Sequence, residues 1–140
     1  MKVLIVNTSE KTGGAALAAN RLKDALNNNG VKAKMLVRDK LTDDITVVGL
    51  SHTLRNQLHF LWERWTIFWH LHFSRKHLFE IDIANSGVDI TKLPEFKEAD
   101  IIHLSWINQG MLSLKGIRKI LDSGKPVVWT MHDIWPATGI

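Results

Sequence analysis

The stretch MKVLIVNTSEKTGGAALAANRL, Met1 to Leu22, decides the fold class. Val3, Leu4, Ile5 and Val6 form a continuous β-rich apolar run within Lys2 to Asn7. Such a run suits a strand buried on both faces, as strands of a parallel sheet are. Thr8 to Gly14 is a polar loop. After it Ala15, Ala18, Ala19, Leu22, Ala25 and Leu26 recur at helical spacing as far as Asn29. Asn27-Asn28-Asn29-Gly30 then supplies residues that tolerate left-handed backbone, which ends the helix. A strand, a glycine-bearing loop and a helix in that order open a parallel α/β unit.

The same alternation continues along the chain. Lys34 to Arg38 reads as a second strand and Ile45 to Gly49 as a short third. Ser51 caps a long helix that runs to Phe73. On it Leu54, Leu58, Leu61, Trp62, Trp65, Phe68, Trp69 and His72 share one face, with Arg55, His59, Glu63 and His70 largely opposite. Phe60, Phe73, Arg64, Arg75 and Lys76 add to this aromatic and basic segment. The helix either packs its apolar face on the sheet, or lies on an anionic bilayer or a partner subunit. Ile81 to Pro94 reads as irregular. Ala99 to Leu104 is a strand, Met111 to Leu121 a helix, and Val127 to Thr130 the last strand. Connections this long exclude hairpins and require crossovers. The expected fold is therefore α/β: a Rossmann-like parallel sheet with helices on both faces, spanning residues 1–140 as one domain. In such sheets ligands bind outside the carboxyl ends of the strands. The loops after Asn7, Leu104 and Thr130 should meet there.

Composition narrows the function classes. The 140 residues include no cysteine, so there is neither a disulfide framework nor a thiolate metal site. The net charge of +4 favours anionic ligands or surfaces. Blocks of like charge of the kind that bind nucleic acid are missing, and nucleic acid is not an expected partner. The N-terminus starts at once as a strand and shows no signal-peptide cleavage site, so a cytoplasmic location is expected.

Three places carry candidate chemistry. Gly13-Gly14 stands at a helix start, where backbone N–H groups and the helix dipole favour an anion. The loop is longer than G-x-G-x-x-G and lacks the Gly-Lys-Ser/Thr of a P-loop, and a plain glycine turn remains the alternative. His103-Leu104-Ser105-Trp106 comes next, with Asn108-Gln109-Gly110 behind it; alternation puts His103 and Ser105 on one side of the strand end. His132-Asp133 follows the last strand, where a histidine can bond substrate hydroxyls or shuttle a proton. Neighbours in sequence point different ways, so these two are no ready dyad. The seven histidines include no H-E-x-x-H pair, and no G-x-S-x-G elbow occurs; neither a catalytic metal nor a serine hydrolase is expected.

In their order along the chain these segments resemble a known family. Gly13-Gly14 at a helix start, Glu98-Ala99-Asp100-Ile101-Ile102-His103-Leu104-Ser105-Trp106, and Lys125-Pro126-Val127-Val128-Trp129-Thr130-Met131-His132-Asp133 look like the N-terminal domain of the family-4 glycosyltransferases. These are retaining enzymes with the two-domain GT-B architecture. The resemblance covers most of the chain and is weakest from about Gly49 to Lys92. It implies an acceptor-side domain whose donor-binding C-terminal partner, with its basic pair and glutamate pair, lies outside these residues. On this view the 140 residues are an N-terminal half, inactive alone. The full-length enzyme would transfer a sugar from a nucleotide-sugar to a glycan or lipid-linked acceptor, in cell-surface polysaccharide synthesis at the inner face of the membrane.

The resemblance assigns residues as well. Gly13 and Gly14 match the loop that approaches the donor diphosphate, and His132 the catalytic histidine near the transferred sugar. His103, Trp106, Asn108 and Asp133 fall on the acceptor side, and Ser105 stands where many relatives have a second histidine. No cofactor or metal is implied beyond the nucleotide-sugar substrate. Two rival readings stand beside it. One is an NAD(P)-dependent oxidoreductase or epimerase domain with Arg38-Asp39 at the ribose. The other is a non-catalytic module that docks a partner or a membrane through helix 51–73.

Overall fold

The structure, a computed structural model, describes residues 1–50, 53–71, 84 and 86–138. Five strands form one sheet: β1 (Lys2–Ser9), β2 (Lys32–Asp39), β3 (Val47–Gly49), β4 (Ile101–Leu104) and β5 (Val127–Trp129). All pair in parallel, in the order β3-β2-β1-β4-β5. The chain winds outward from β1 in both directions, which makes the fold α/β and Rossmann-like. The helices are α1 (Gly14–Asn28), α2 (Thr53–His70), α3 (Pro94–Glu98), α4 (Leu114–Asp122) and α5 (Trp135–Thr138). Among the described residues no helix is long and apolar enough to cross a membrane.

Burial explains the opening run. Val3 and Ile5 pack with Ala33, Met35 and Val37 of β2 and with Ala19 of α1. Leu4 and Val6 face the other way, against Ile102, Leu104, Met111 and Ile120. A central strand covered on both faces needs apolar residues at every position rather than at alternate ones. Strand β1 runs on through Thr8 and Ser9, which the sequence places in the loop. Backbone pairing carries it there: Ser9 stands opposite Asp39, and Thr8 N–H donates to Trp106 O at 2.8 Å.

Capping moves the later helix boundaries. Helix α4 begins at Leu114 rather than Met111, because the Ser113 hydroxyl accepts the Gly116 N–H at 3.0 Å. Met111 and Leu112 precede it in a turn and are buried in the core. A 3-10 turn, Ile90–Lys92, forms within the stretch expected to be irregular, and helix α3 follows at its end, with Pro94 in its first turn, a position that suits proline's fixed φ.

Helix α2 forms as expected but presents the opposite face. Glu63, Arg64 and Ile67 are buried, while Trp62, Trp65 and Trp69 are 60%, 54% and 58% exposed. A polar anchor accounts for this orientation. A Glu63 carboxylate oxygen accepts the Ala84 N–H at 2.8 Å and lies 3.8 Å from Arg64 Nη2. Leaving that buried amide unpaired would cost about 1–3 kcal/mol. Ser51, His72, Phe73, Arg75 and Lys76 lie outside the described residues, as do the side chains of Leu54, Arg55, His59 and Phe60.

One glycine is demanded by close packing. A Cβ at Gly87 would stand 2.5 Å from Ser113 N and 2.6 Å from Leu112 C, both backbone atoms that cannot rotate away. Gly87→Ala is therefore expected to lower unfolding free energy by about 1–3 kcal/mol, as overpacking does. Urea unfolding read by circular dichroism checks this; an unchanged midpoint would show that the two segments separate freely.

Candidate functional site

A cleft of about 560 Å³ opens at the carboxyl edge of the sheet. The loop after β1 contributes Thr8, Ser9, Thr12, Gly13 and Gly14, and the end of β2 contributes Arg38 and Asp39. Trp106 and Gln109 come from the segment after β4, His132 and Asp133 from that after β5. The three loops expected to meet do meet, and the β2 terminus joins them.

Gly13 precedes α1 with φ 89° and ψ 167°. That backbone region is essentially restricted to glycine and costs other residues about 1–3 kcal/mol. Gly14 has no such strain, and an added Cβ there would meet nothing within 4 Å. The fold itself thus requires glycine at 13 and leaves 14 open to close approach by a ligand. Helix α1 has no side-chain cap bond and no acid in its first turn. Its leading N–H groups and positive dipole end therefore face the cleft without a built-in counter-charge.

Buried polar residues hold the rim. The Asn7 side chain accepts the Trp106 N–H at 2.9 Å and donates to Ser9 O at 2.6 Å. The Thr8 hydroxyl donates to Asn108 O at 2.9 Å. The Arg38 guanidinium donates to Gln109 O and to both Asp39 oxygens. The Glu10 carboxylate, almost fully buried, accepts from Leu41 N–H, Thr42 N–H and the Thr42 hydroxyl. These bonds join the β1, β2 and β4 loops into one frame.

His132 and Asp133 diverge, as neighbours should. His132 Nε2 lies 2.8 Å from Ser105 Oγ. Asp133 accepts the Trp106 indole N–H at 3.0 Å and, through its other oxygen, the Trp135 N–H at 3.2 Å. Asp133 thereby starts α5 and fixes the Trp106 ring. His103 Nε2 lies 2.8 Å from the Thr130 hydroxyl.

Gly13, Gly14, Trp106, His132 and Asp133 line the cleft together, and His103 and Asn108 are not among its lining residues. His103 is set deeper, in register with Ile5. Asn108 is buried and serves the rim through its backbone oxygen. Sequence reading places Thr8, Thr12 and Gln109 in the candidate loops without giving them a role. The turn signal Asn-Gln-Gly marks the last of these: Gln109 and Gly110 take positive φ values of 61° and 78°. Among the described residues no group of three or more His, Asp or Glu converges to hold a metal.

Burial, and then the nearby His132, hold the His103 imidazole below its usual pKa. Its folded form favours neutrality, so protonation as pH falls through the ordinary histidine range, about 6.5, opposes folding. An NMR titration should place the His103 midpoint below that value, and His132→Ala should raise it part of the way. A midpoint unmoved by the substitution would sever the link between the two rings.

Compared with models of protein families, with curated proteins and with solved structures, the chain matches none.

Proposed function

We propose that this chain is the acceptor-side, N-terminal domain of a retaining glycosyltransferase. Its donor is a nucleotide-sugar and its acceptor a glycan or lipid-linked glycan, handled in the cytoplasm during cell-surface polysaccharide synthesis. One observation carries the reading: an uncapped helix N-terminus behind Gly13 opens into the same cleft as His132 and Trp106. Transfer breaks the bond between the anomeric carbon and the diphosphate and forms a bond to an acceptor oxygen. The acceptor's proton leaves with the departing phosphate. Charge grows on that phosphate, and the first N–H groups of α1 stabilise it without proton exchange. His132 bonds a sugar hydroxyl, and the indole face of Trp106 borders the acceptor. In the two-domain arrangement that the resemblance implies, a second domain holds the nucleotide opposite this cleft.

The test is an amide-detected NMR titration of the chain with uridine diphosphate and with inorganic pyrophosphate. Shifts should concentrate at Gly13, Gly14 and Ala15, and Gly13→Val should weaken binding about tenfold or more, since it distorts the loop. The 140 residues alone should show no sugar transfer. Shifts absent from the α1 N-terminus, or transfer by this chain unaided, would overturn the reading.

A second reading draws on Asp39, which ends β2 and lines the same cleft as Gly13 and Gly14. That is where a Rossmann domain meets an adenosine ribose. Arg38 already occupies both Asp39 oxygens, which a ribose diol would have to displace. Micromolar binding of NAD(P) with shifts at Asp39 would favour this oxidoreductase reading over sugar transfer.

A further inference from the structure

Helix α2 turns its most apolar side chains to solvent. Leu58, Leu61, Trp62, Trp65 and Trp69 are each more than half exposed. At 100° per residue these five fall within an arc of about 100°, with Ile67 at the opposite pole. They form a continuous stripe rather than scattered surface residues, and such stripes mark contact surfaces. The opposite side of the helix is fastened down by Glu63 to the Ala84 N–H. Helix α2 therefore lies along the body of the protein with the stripe outward.

We propose that this stripe seats the protein on an anionic lipid surface. Three features select that occupant. First, the stripe is mainly tryptophan, whose ring enters the headgroup layer while its N–H stays hydrated. Second, the charge is complementary. The sole acid of residues 53–70, Glu63, is fully buried, so no carboxylate on the helix repels lipid phosphates. The chain as a whole carries +4, which attracts an anionic surface and opposes a second copy of itself. Third, five side chains in one helical stripe fall well short of the roughly 20–30 residues a side that a stable protein interface engages. An amphipathic helix lying flat in the interface needs no more than such a stripe. The inference is independent of the glycosyltransferase reading, since a chain that ignores nucleotide-sugars would still bind the bilayer.

The experiment is vesicle flotation of the chain with phosphatidylcholine vesicles containing phosphatidylglycerol as the minority lipid, beside pure phosphatidylcholine vesicles. The chain should float with the anionic vesicles, float less in high salt, and show a blue shift of tryptophan emission. Trp62→Ala/Trp65→Ala/Trp69→Ala should reduce binding about tenfold or more, because affinity scales with the apolar area inserted. The single variant Trp65→Lys, in an exposed position, should also reduce it with an unchanged circular dichroism spectrum. Absence of flotation, or equal flotation of the triple variant, would overturn the proposal. Equal binding to neutral vesicles would overturn its electrostatic part. A concentration-dependent dimer in size-exclusion chromatography, abolished by the triple variant, would assign the stripe to a second copy instead.

Discussion

Asp44→Ala should lower the unfolding free energy by about 2–3 kcal/mol, although Asp44 stands in a surface loop and is itself exposed. The reason lies in Lys23, which α1 carries into the protein at 2% exposure. Its ammonium sits 2.7 Å from an Asp44 oxygen and 3.5 Å from the exposed carboxylate of Asp24. Removing Asp44 leaves a buried cation with one weak partner. A fully buried pair would lose about 3–5 kcal/mol; Asp44 is 39% exposed and Asp24 remains, so the lower figure applies. The double variant Lys23→Met/Asp44→Ala should recover most of the loss, since an apolar chain of similar length removes the stranded charge. Chemical denaturation of the three proteins decides it. A single variant within about 0.5 kcal/mol of the parent would mean that water already screens the pair.

The same bond sets an acid limit. The Lys23 ammonium first, and the Thr46 hydroxyl next, hold the Asp44 carboxyl well below the usual range. Lys119 and then Thr91 push Asp89 down to about 2. A carboxylate whose folded pKa is depressed stabilises the protein above its unfolded pKa, about 3.9, and loses that contribution as pH falls through the folded value. The urea midpoint should therefore decline from about pH 4 toward about pH 2. The Asp44→Ala variant should show a shallower decline, because one of the carboxylates held below its usual range is gone. Identical slopes for the two proteins would contradict the assignment.

On the proposed glycosyltransferase reading, His132→Ala should reduce kcat for sugar transfer about a hundredfold in the two-domain enzyme, the lower end for losing a positioned polar catalytic group. Ser105→Ala should cost less, about tenfold, because Ser105 does not line the cleft and acts by orienting the His132 ring. Ser105→Thr keeps a hydroxyl at that place and should restore most of the rate. Steady-state kinetics with donor and acceptor varied in turn separate these effects. An unchanged kcat for His132→Ala would remove the histidine from the chemistry and leave it a rim residue. A Ser105→Ala loss confined to stability would reduce Ser105 to a packing role.

The exposed stripe on α2 and the candidate cleft differ in how far the sequence foretold them. Gly13 and His132 were legible because position relative to a strand end is a local property, and in a parallel sheet the carboxyl edge is where ligands gather. The stripe on α2 was legible as an apolar face but not in its direction. Periodicity shows that a helix has two unlike sides. It does not show which side meets the sheet when the polar side can satisfy a buried amide, as Glu63 does for Ala84.

Lys23 makes the same point from inside α1. In the sequence it is a polar position of an amphipathic helix, and its burial follows from Asp44, a partner 21 residues away. The sequence by itself determined the alternation of buried strands and helices, the parallel class of the sheet, the glycine at the start of α1 and the edge at which the three loops meet. Tertiary structure decided the strand order, the inward turn of Glu63 and Lys23, the link from Arg38 to Gln109 and the separate partners of His132 and Asp133. Local pattern reports how often a position is covered. Which group covers it depends on residues that the fold brings together from 21 to 99 positions apart, as in Lys23 with Asp44 and Asn7 with Trp106.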